Sequence, residues 1–212
     1  MSPNAHHDTE EYRQYFEYLR RITLAGRLYK RYVSSPILFL SARRFGPRVI
    51  EVGSGSGAGV LGAFPKRVTG LEINPFAVEY SRAKGLQASL IEDDGVFPLA
   101  EGAGDVCILD NVLEHINDPS QILRECSRVT KPAGGLVVAV PGVRGFRRDP
   151  DHKKFYGEAE LRALDAGWRI ERLFALPLIL RSASLSQSVR QYCLVGVYRK
   201  ADRSAESKRT NG

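Results

Sequence analysis

Apolar side chains near the start of the chain recur at three- and four-residue spacing, which is the period of an amphipathic helix. They are Tyr12, Tyr15, Phe16, Leu19, Ile22 and Leu28. Pro36 suits the first turn of a further helix, and the apolar run Ile37–Leu40 would then pack that helix on the core. The pattern therefore predicts a helical segment before any strand.

From Val49 onward the apolar residues form short runs of strand length, separated by polar and glycine-containing segments. Four of the predicted strands are Val68–Ile73, Ser89–Ile91, Trp168–Phe174 and Tyr192–Tyr198. Three more are predicted within longer stretches: one opens Val49–Gly57, one opens Asp105–Pro119, and one follows the turn that begins Lys131–Gly142. A helix is predicted over Glu158–Ala166, ended by Gly167. Alternating strands and helices predict an α/β fold with a mostly parallel sheet. We expect five parallel strands, an antiparallel last strand and helices on both faces.

The first predicted strand runs directly into the glycines Gly53, Gly55 and Gly57. Glycine lets the backbone turn sharply and approach a ligand closely, and the N–H groups of a following helix would face that ligand. The spacing is one residue shorter than the dinucleotide fingerprint G-x-G-x-x-G, and Glu51 precedes the loop. This loop therefore indicates a nucleotide-like cofactor other than a dinucleotide.

Four further motifs follow the loop in order. They are Val68–Ile73 ending near Glu72, the acidic turn Glu92–Gly95, Asp105–Pro119 and Lys131–Gly142. With the glycine loop they resemble the class I methyltransferases that use S-adenosylmethionine, in particular the small-molecule enzymes often called type 11. The resemblance covers roughly 48–174, and the stretch 141–156 is similar to methyltransferases of bacterial surface-polysaccharide clusters.

The resemblance implies a Rossmann-like seven-stranded sheet, an N-terminal helical cap and S-adenosyl-L-methionine as cofactor. Glu72 would accept both ribose hydroxyls, and the turn after the third strand would read the adenine edge. The expected cofactor-binding residues are Glu51, Gly53, Ser54, Gly55, Gly57, Glu72, Ile73, Asp93, Asp94, Gly95, Asp110, Asn111 and Val112. In an open parallel sheet these positions meet beyond the carboxyl ends of the strands, where the strand order reverses.

Methyl transfer to a hydroxyl or amine needs alignment of the two reactants and removal of a proton, for which histidine is the usual base. His6 and His7 lie in the terminal segment and are set aside, which leaves His115 and His152 as the expected catalytic residues. The alternative is that His115 only orients its turn.

A metal-assisted reaction is a second reading of the same residues. Asn111-x-x-Glu114-His115 with His152 resembles the metal-dependent small-RNA 2′-O-methyltransferases, in which the corresponding ligands here would be Glu114, His115 and His152. Asn111 stands where that family has a glutamate, and an amide is a poorer ligand for a hard cation. The same Glu-His pair also occurs in related quinone-type enzymes. We expect no metal.

Length and charge support one domain with appendages. The 212 residues can bury one sizeable core, and we expect a cap over 1–47, the methyltransferase domain over 48–199 and a disordered basic tail over 200–212. The net charge of +7 lies in the ends, because residues 49–199 are formally neutral. The basic N-terminal segment predicts contact with an anionic surface, and a merely solvated helix face is the alternative.

The acceptor is less determined than the cofactor. Basic and aromatic residues after the fifth strand could bind phosphate and stack on a ring. They are Arg144, Phe146, Arg147, Arg148, Lys153, Lys154, Phe155 and Tyr156. We expect a small-molecule or glycan hydroxyl; a nucleic-acid acceptor is the alternative, although no RNA-binding motif is present. A non-catalytic cofactor-binding protein is a third reading.

No membrane span or secretory signal is visible in the sequence. The three cysteines lack metal-type spacing, so we expect free thiols and a cytoplasmic protein.

Overall fold

The fold is that of a computed structural model, which describes residues 9–164, 167–177 and 181–201. Seven strands form one sheet in the order β3-β2-β1-β4-β5-β7-β6. Their bounds are β1 Val49–Val52, β2 Val68–Glu72, β3 Ala88–Leu90, β4 Gly104–Asp110, β5 Thr130–Pro141, β6 Trp168–Leu176 and β7 Cys193–Lys200.

The sheet is parallel except at its last strand. The first five strands pair with their neighbours in parallel, in the order β3-β2-β1-β4-β5. In contrast, β7 pairs antiparallel with both β5 and β6. β6 therefore runs in the same direction as the first five strands, so the sheet has six parallel strands where five were expected. The predicted α/β class, with a mostly parallel seven-stranded sheet and an antiparallel last strand, is confirmed.

Helices cover both faces of the sheet. They are α1 Thr9–Arg20, α2 Leu24–Tyr29, α3 Ser35–Arg43, α4 Val60–Ala63, α5 Pro75–Ala83, α6 Ser120–Val129, α7 Val143–Phe146, α8 Glu158–Arg162 and α9 Ala183–Ser188. A π-helical turn, Lys30–Ser34, joins α2 to α3, and a 3₁₀ turn, Leu113–His115, follows β4. The helix predicted over Glu158–Ala166 ends early, at Arg162, and its last two residues lie outside the described residues.

Each face of the sheet has its own apolar core, because alternate residues of a strand point to opposite faces. On one face Leu109 and Leu136 pack with Leu123 and Val129 of α6. On the other face Ile108 and Val137 pack with Leu38 and Phe39 of α3. All seven residues of β4 are buried, as expected for a central strand covered on both sides.

The first two helices, α1 and α2, contact segments that follow strands of the sheet, whereas α3 packs on one face of the sheet. The side-chain amide of Asn74, which follows β2, donates to the carbonyl of Tyr12 in α1 at 2.8 Å. The hydroxyl of Tyr29, at the end of α2, donates to the carbonyl of Gln191. We refer to residues 9–43 as the cap. A domain boundary near residue 47 stays a prediction.

Two observations bear on the wider expectations. None of the described helices combines the length and apolar character needed to cross a bilayer. All three cysteines are free thiols, with Cys107 and Cys126 buried. The predicted disordered tail falls, from residue 202 onward, outside the described residues.

Candidate cofactor and catalytic site

The glycine loop begins where β1 ends, at the point where the strand order reverses between β1 and β4. The Gly53 backbone has a φ of 72°, and its N–H donates to the Leu71 carbonyl of β2 at 2.8 Å. A Cβ on Gly53 would lie 2.5 Å from Cγ2 of Val112, which follows β4. Gly55 and Gly57 also have positive φ values. The loop therefore needs glycine both for its conformation and for its close contact with the neighbouring strand end.

Glu51 supports this loop from beneath. Its carboxylate accepts from the Val60 N–H at 3.0 Å and from the Leu61 N–H at 2.6 Å, which satisfies the start of α4. Burial raises the pKa of Glu51 to about 7. Glu51 is among the predicted cofactor-binding residues, and a direct contact with the ligand stays a prediction. In this structure both of its oxygens accept from backbone N–H groups just beyond the loop, so the side chain holds the loop to the start of α4.

Ser54 has a buried hydroxyl with no hydrogen-bond partner among the described residues. It lies in the same loop, and its N–H donates to the Leu71 carbonyl. A buried hydroxyl without a partner is costly, since hydroxyls are normally hydrogen-bonded when they leave water. The loop therefore offers a polar group in addition to its backbone.

Glu72 stands at the carboxyl end of β2, facing the same loop. One of its oxygens accepts from the Gly55 N–H at 2.6 Å, and the other accepts from the N–H groups of Ile73 and Asn74 at 2.9 and 3.0 Å. Burial raises its pKa. A carboxylate has about four acceptor positions, and three are filled. One position is open, so accepting two hydroxyls at once requires one of these N–H groups to be displaced.

The turn after β3 closes the crevice on the side expected to hold adenine. The Asp94 carboxylate accepts from the Val96 N–H at 2.8 Å, so it serves its own turn. Gly95 has a φ of 70°. Tyr12 of the cap lies within reach of the charges of Asp93 and Glu72, and burial, followed by these two charges, raises its pKa to about 12.

Two apolar side chains at this end of the crevice are exposed. Ile73 follows β2 and Val96 follows the turn after β3, and each is 49% exposed. Apolar rings of a ligand commonly bind between side chains of this kind. Their exposure fits a planar apolar group at this end of the crevice.

At the other end of the crevice Asp110 closes β4. Its carboxylate lies 3.3 Å from Nζ of Lys30 in the cap and accepts from the Asn111 side-chain amide at 2.7 Å. Asp110 chiefly raises the pKa of Lys30. Asn111 has a φ of 57°, a conformation that asparagine tolerates better than most residues. Sequence reasoning missed Lys30, which is 80 positions from Asp110 and carries no local motif.

The two predicted catalytic histidines lie together beyond Asp110. Their ring centroids are 4.7 Å apart, with an edge-to-face arrangement. Nδ1 of His115 lies 3.0 Å from the Asp151 carboxylate, and Nδ1 of His152 lies 2.8 Å from the Phe146 carbonyl. A carboxylate or carbonyl at Nδ1 fixes the tautomer in which Nε2 is the acceptor. Both rings are therefore oriented through Nδ1.

Glu114 lies beside these rings and is almost fully buried, at 1% exposure. Neither of its carboxyl oxygens has a hydrogen-bond partner among the described residues, and Oε1 is 3.9 Å from Nε2 of His152. Burial raises the pKa of Glu114 to about 8. The Glu-His pair in the sequence was the signal for this residue.

Glu114, His115 and His152 also fit a divalent cation. One ligand atom from each residue can be chosen so that all lie within 4.8 Å of one another. The Nδ1 contacts of both rings match the second sphere seen around metal-bound histidines, and Glu114 lacks another partner. Asn111, the position of the missing fourth ligand, instead donates to Asp110.

Tyr15 of the cap lies near both Glu72 of the cofactor crevice and His115. Its ring centroid lies 6.5 Å from that of His115, and burial, followed by the charges of Glu72 and Asp151, raises its pKa. Phe146 stacks on His152 at 5.1 Å. Tyr156, expected to stack on an acceptor, is instead 2% exposed within the core, so that expectation is wrong.

Comparison with known proteins gives three findings. Residues 50–138 match the family described as "Methyltransferase domain". A protein of Mycolicibacterium smegmatis named "Probable S-adenosylmethionine-dependent methyltransferase" is 32% identical over 62% of this chain and 56% of its own length. A "Ubiquinone biosynthesis O-methyltransferase" of Xanthomonas oryzae pv. oryzae is 31% identical over 44% of this chain and 43% of its own length. The chain thus spans about half the length of these curated relatives.

Among solved structures, a SAM-dependent methyltransferase of Aquifex aeolicus superimposes with a TM-score of 0.62 at 19% identity. The superposition covers 88% of this chain and 98% of that one. At 19% identity this similarity supports the fold alone.

Proposed function

We propose that the chain is a class I S-adenosylmethionine-dependent methyltransferase that O-methylates a hydroxyl of a small molecule or a glycan, as its match to the methyltransferase domain family and its similarity to named methyltransferases support. The observation that carries this proposal is the hydrogen bond between His115 and Asp151 beside the cofactor crevice. A base is needed for a hydroxyl acceptor, since the methyl group is already activated in the cofactor. The O-methyltransferase named among the relatives supports the same acceptor chemistry.

The crevice supports a cofactor with three chemically different parts. Ile73 and Val96 would flank the adenine, and Glu72 would accept from the ribose hydroxyls. Asp110 and Lys30 present opposite charges 3.3 Å apart, as suits the ammonium and carboxylate of the amino-acid part. S-adenosylmethionine supplies a methyl group activated by its sulfonium. Lys30 extends the expected set of cofactor-binding residues, and Glu51 supports the loop.

Of the two histidines we assign the base to His115. Asp151 accepts from its Nδ1–H, which leaves Nε2 to take the proton of the acceptor and stabilises the imidazolium that results. Nε2 of His152 instead faces the buried Glu114 at 3.9 Å. His152 and Phe146 would form a wall of the acceptor site, because their rings are stacked.

A metal-assisted 2′-O-methylation of RNA is the second candidate function, favoured by Glu114. A buried carboxyl group with no partner would be stabilised by a cation held with His115 and His152. Such an ion would polarise the acceptor hydroxyl. We favour the metal-free reaction, because Asn111 provides no carboxylate and its amide donates to Asp110.

Product analysis tests the proposal. The protein would be incubated with S-adenosylmethionine and separate pools of phenolic, glycan and RNA acceptors, and methylated products would be located by mass spectrometry. We expect methyl ethers on a phenolic or glycan hydroxyl and activity that survives EDTA. Methylated RNA with complete EDTA inhibition, reversed by added Mg²⁺ or Mn²⁺, would establish the second candidate. Methylation confined to nitrogen or carbon would refute both.

A further inference from the structure

The cap carries exposed apolar side chains that the cofactor and acceptor sites do not use. Eight large apolar side chains of the described residues are exposed. Ile73, Val96 and Phe155 lie at the crevice or in the acceptor loop, whereas the other five belong to the cap. Those five are Tyr18, Leu24, Leu28, Tyr32 and Leu40. Their concentration in one segment requires an explanation separate from the active site.

Three of them form a row along the helix. Leu24 and Leu28 lie in α2 and Tyr32 in the π-helical turn, at intervals of four residues, and they are 74%, 48% and 70% exposed. Residues at this spacing lie on one helical face. The opposite face is occupied: Lys30 pairs with Asp110 and Tyr29 donates to the Gln191 carbonyl. We call Leu24, Leu28 and Tyr32 the apolar row.

Basic residues flank the apolar row along the chain. Between Glu17 and Glu51 the sequence contains eight basic residues and no acidic one. Among the described residues Arg21, Arg27 and Arg31 form no ion pair with a carboxylate. Arg27 and Arg31 donate to backbone carbonyls, and a carbonyl does not neutralise the charge of an arginine. The eight are Arg20, Arg21, Arg27, Lys30, Arg31, Arg43, Arg44 and Arg48.

We propose that the apolar row and its flanking arginines dock the cap on the surface of a bilayer that contains anionic phospholipid. Leucine and tyrosine beside arginine, on one face of a short exposed helix, match the composition of interfacial helices. The charge complementarity is what selects this partner, because an apolar protein partner or a second copy of the cap would gain nothing from three unpaired arginines. A second copy would also bring like charges together.

The docked orientation follows from the two faces of the segment. Leu28 and Tyr32 would enter the interface while Lys30, between them in sequence, stays on Asp110. Docking therefore leaves the contacts between cap and crevice in place. The inference is independent of the proposed reaction, since binding to vesicles can be measured without an acceptor.

Vesicle sedimentation tests the proposal directly. We expect the full chain to bind phosphatidylcholine vesicles that contain phosphatidylglycerol and to bind pure phosphatidylcholine weakly. The variant Leu24→Ser/Leu28→Ser/Tyr32→Ser and the variant Arg21→Gln/Arg27→Gln/Arg31→Gln should each weaken anionic binding by roughly tenfold or more. Salt at about 0.5 M should weaken it as well, because the charges act across a hydrated surface.

Matched controls make the result specific to the cap. Arg124→Gln/Arg169→Gln/Arg172→Gln removes the same charge from exposed positions of α6 and β6, and Val96→Ser removes an exposed apolar side chain elsewhere. Both should bind as the native protein does, and thermal melting should show that all variants are folded. Equal losses in the control and cap variants, or no preference for anionic vesicles, would overturn the proposal.

Two further measurements distinguish the bilayer from two other binding partners of this surface, a second copy of the chain and a nucleic acid. Dimerisation measured by light scattering that is lost in the apolar-row variant, without vesicle binding, would show an interface between copies. Binding of single-stranded RNA that depends on both cap variants, again without vesicle binding, would show a nucleic-acid surface. Either result would overturn the bilayer proposal.

Discussion

Lys30 provides the sharpest test of how the cap takes part in cofactor binding. Its ammonium lies 3.3 Å from Asp110, whose side chain is almost fully buried. If Asp110 receives the ammonium of the cofactor, the Lys30 ammonium is placed for the cofactor's carboxylate. The perturbation is Lys30→Gln, which removes the charge while retaining a hydrogen-bond donor, now a neutral amide, and most of the side-chain length.

The expected magnitude follows from one charge-assisted hydrogen bond. Such a bond contributes about 1.5 to 3 kcal/mol, which corresponds to roughly 10- to 150-fold in affinity. The Lys30 side chain is 31% exposed, so water screens part of the attraction. We therefore expect the lower end of the range, about tenfold, for the loss of S-adenosylmethionine affinity.

The assay is calorimetry with two ligands that differ by one group. Decarboxylated S-adenosylmethionine keeps the ammonium and lacks the carboxylate. Native protein should bind it about tenfold more weakly than S-adenosylmethionine, whereas Lys30→Gln should bind the two ligands with similar affinity. Arg27→Gln, which changes a neighbouring cap residue bound to backbone carbonyls, is the matched control and should retain the difference.

The refuting result is equally specific. If Lys30→Gln weakens both ligands by the same factor, the lysine acts by neutralising Asp110 or by holding the cap, and it does not contact the carboxylate. If neither ligand changes, Lys30 lies outside the cofactor site. Tight binding of a nicotinamide dinucleotide and none of S-adenosylmethionine would refute the cofactor site as a whole.

Three further changes test other parts of the site. Glu72→Ala should weaken S-adenosylmethionine binding more than about tenfold in calorimetry, since it removes the ribose acceptor and three backbone N–H partners, and a change under about threefold would contradict this role. His115→Gln should lower kcat by about 100-fold or more with cofactor affinity retained, and an unchanged kcat in this variant would exclude His115 as the base. Asp151→Asn should lower kcat less and alter the pH profile of kcat. The pKa of Glu114, raised from 4.5 to about 8, means that the folded protein keeps a proton that the unfolded chain loses, so stability from this group falls as pH rises between these values. In EDTA, Glu114→Gln should flatten the fall in melting temperature from about pH 5 to pH 9, and parallel curves would contradict the burial argument.

Local sequence patterns predicted the sheet well because its strands are short, buried runs with distinct ends. The residues of β1 before Gly53 are buried on both faces, as are those of β2 apart from the half-buried Thr69, and burial on both faces is typical of parallel strands. The glycine loop could be placed because its conformation demands glycine over a few successive residues. Both signals lie within about ten residues of chain, where sequence reasoning is strongest.

The remaining features depend on contacts between distant segments. Nothing near Lys30 indicates that it reaches Asp110, and nothing near Asp151 indicates that it holds His115 rather than its sequence neighbour His152. The sequence around Tyr156 is basic and aromatic, which predicts contact with an acceptor. The N–H groups of Lys153 and Lys154 donate to the Glu114 carbonyl, and Tyr156 enters the core beyond this attachment.

Three buried glutamates show how surroundings separate residues of the same type. Glu51 accepts two backbone N–H groups and Glu72 accepts three, and these bonds offset part of the cost of burying each carboxylate. Glu114 accepts none among the described residues. The cost of burying Glu114 is therefore relieved in one of two ways. The carboxyl group takes up a proton, or it binds a cation together with His115 and His152. Activity measured with a chelator and across a pH series distinguishes protonation of Glu114 from cation binding. The result decides whether His115 is free to accept the acceptor proton or is a ligand of a metal ion.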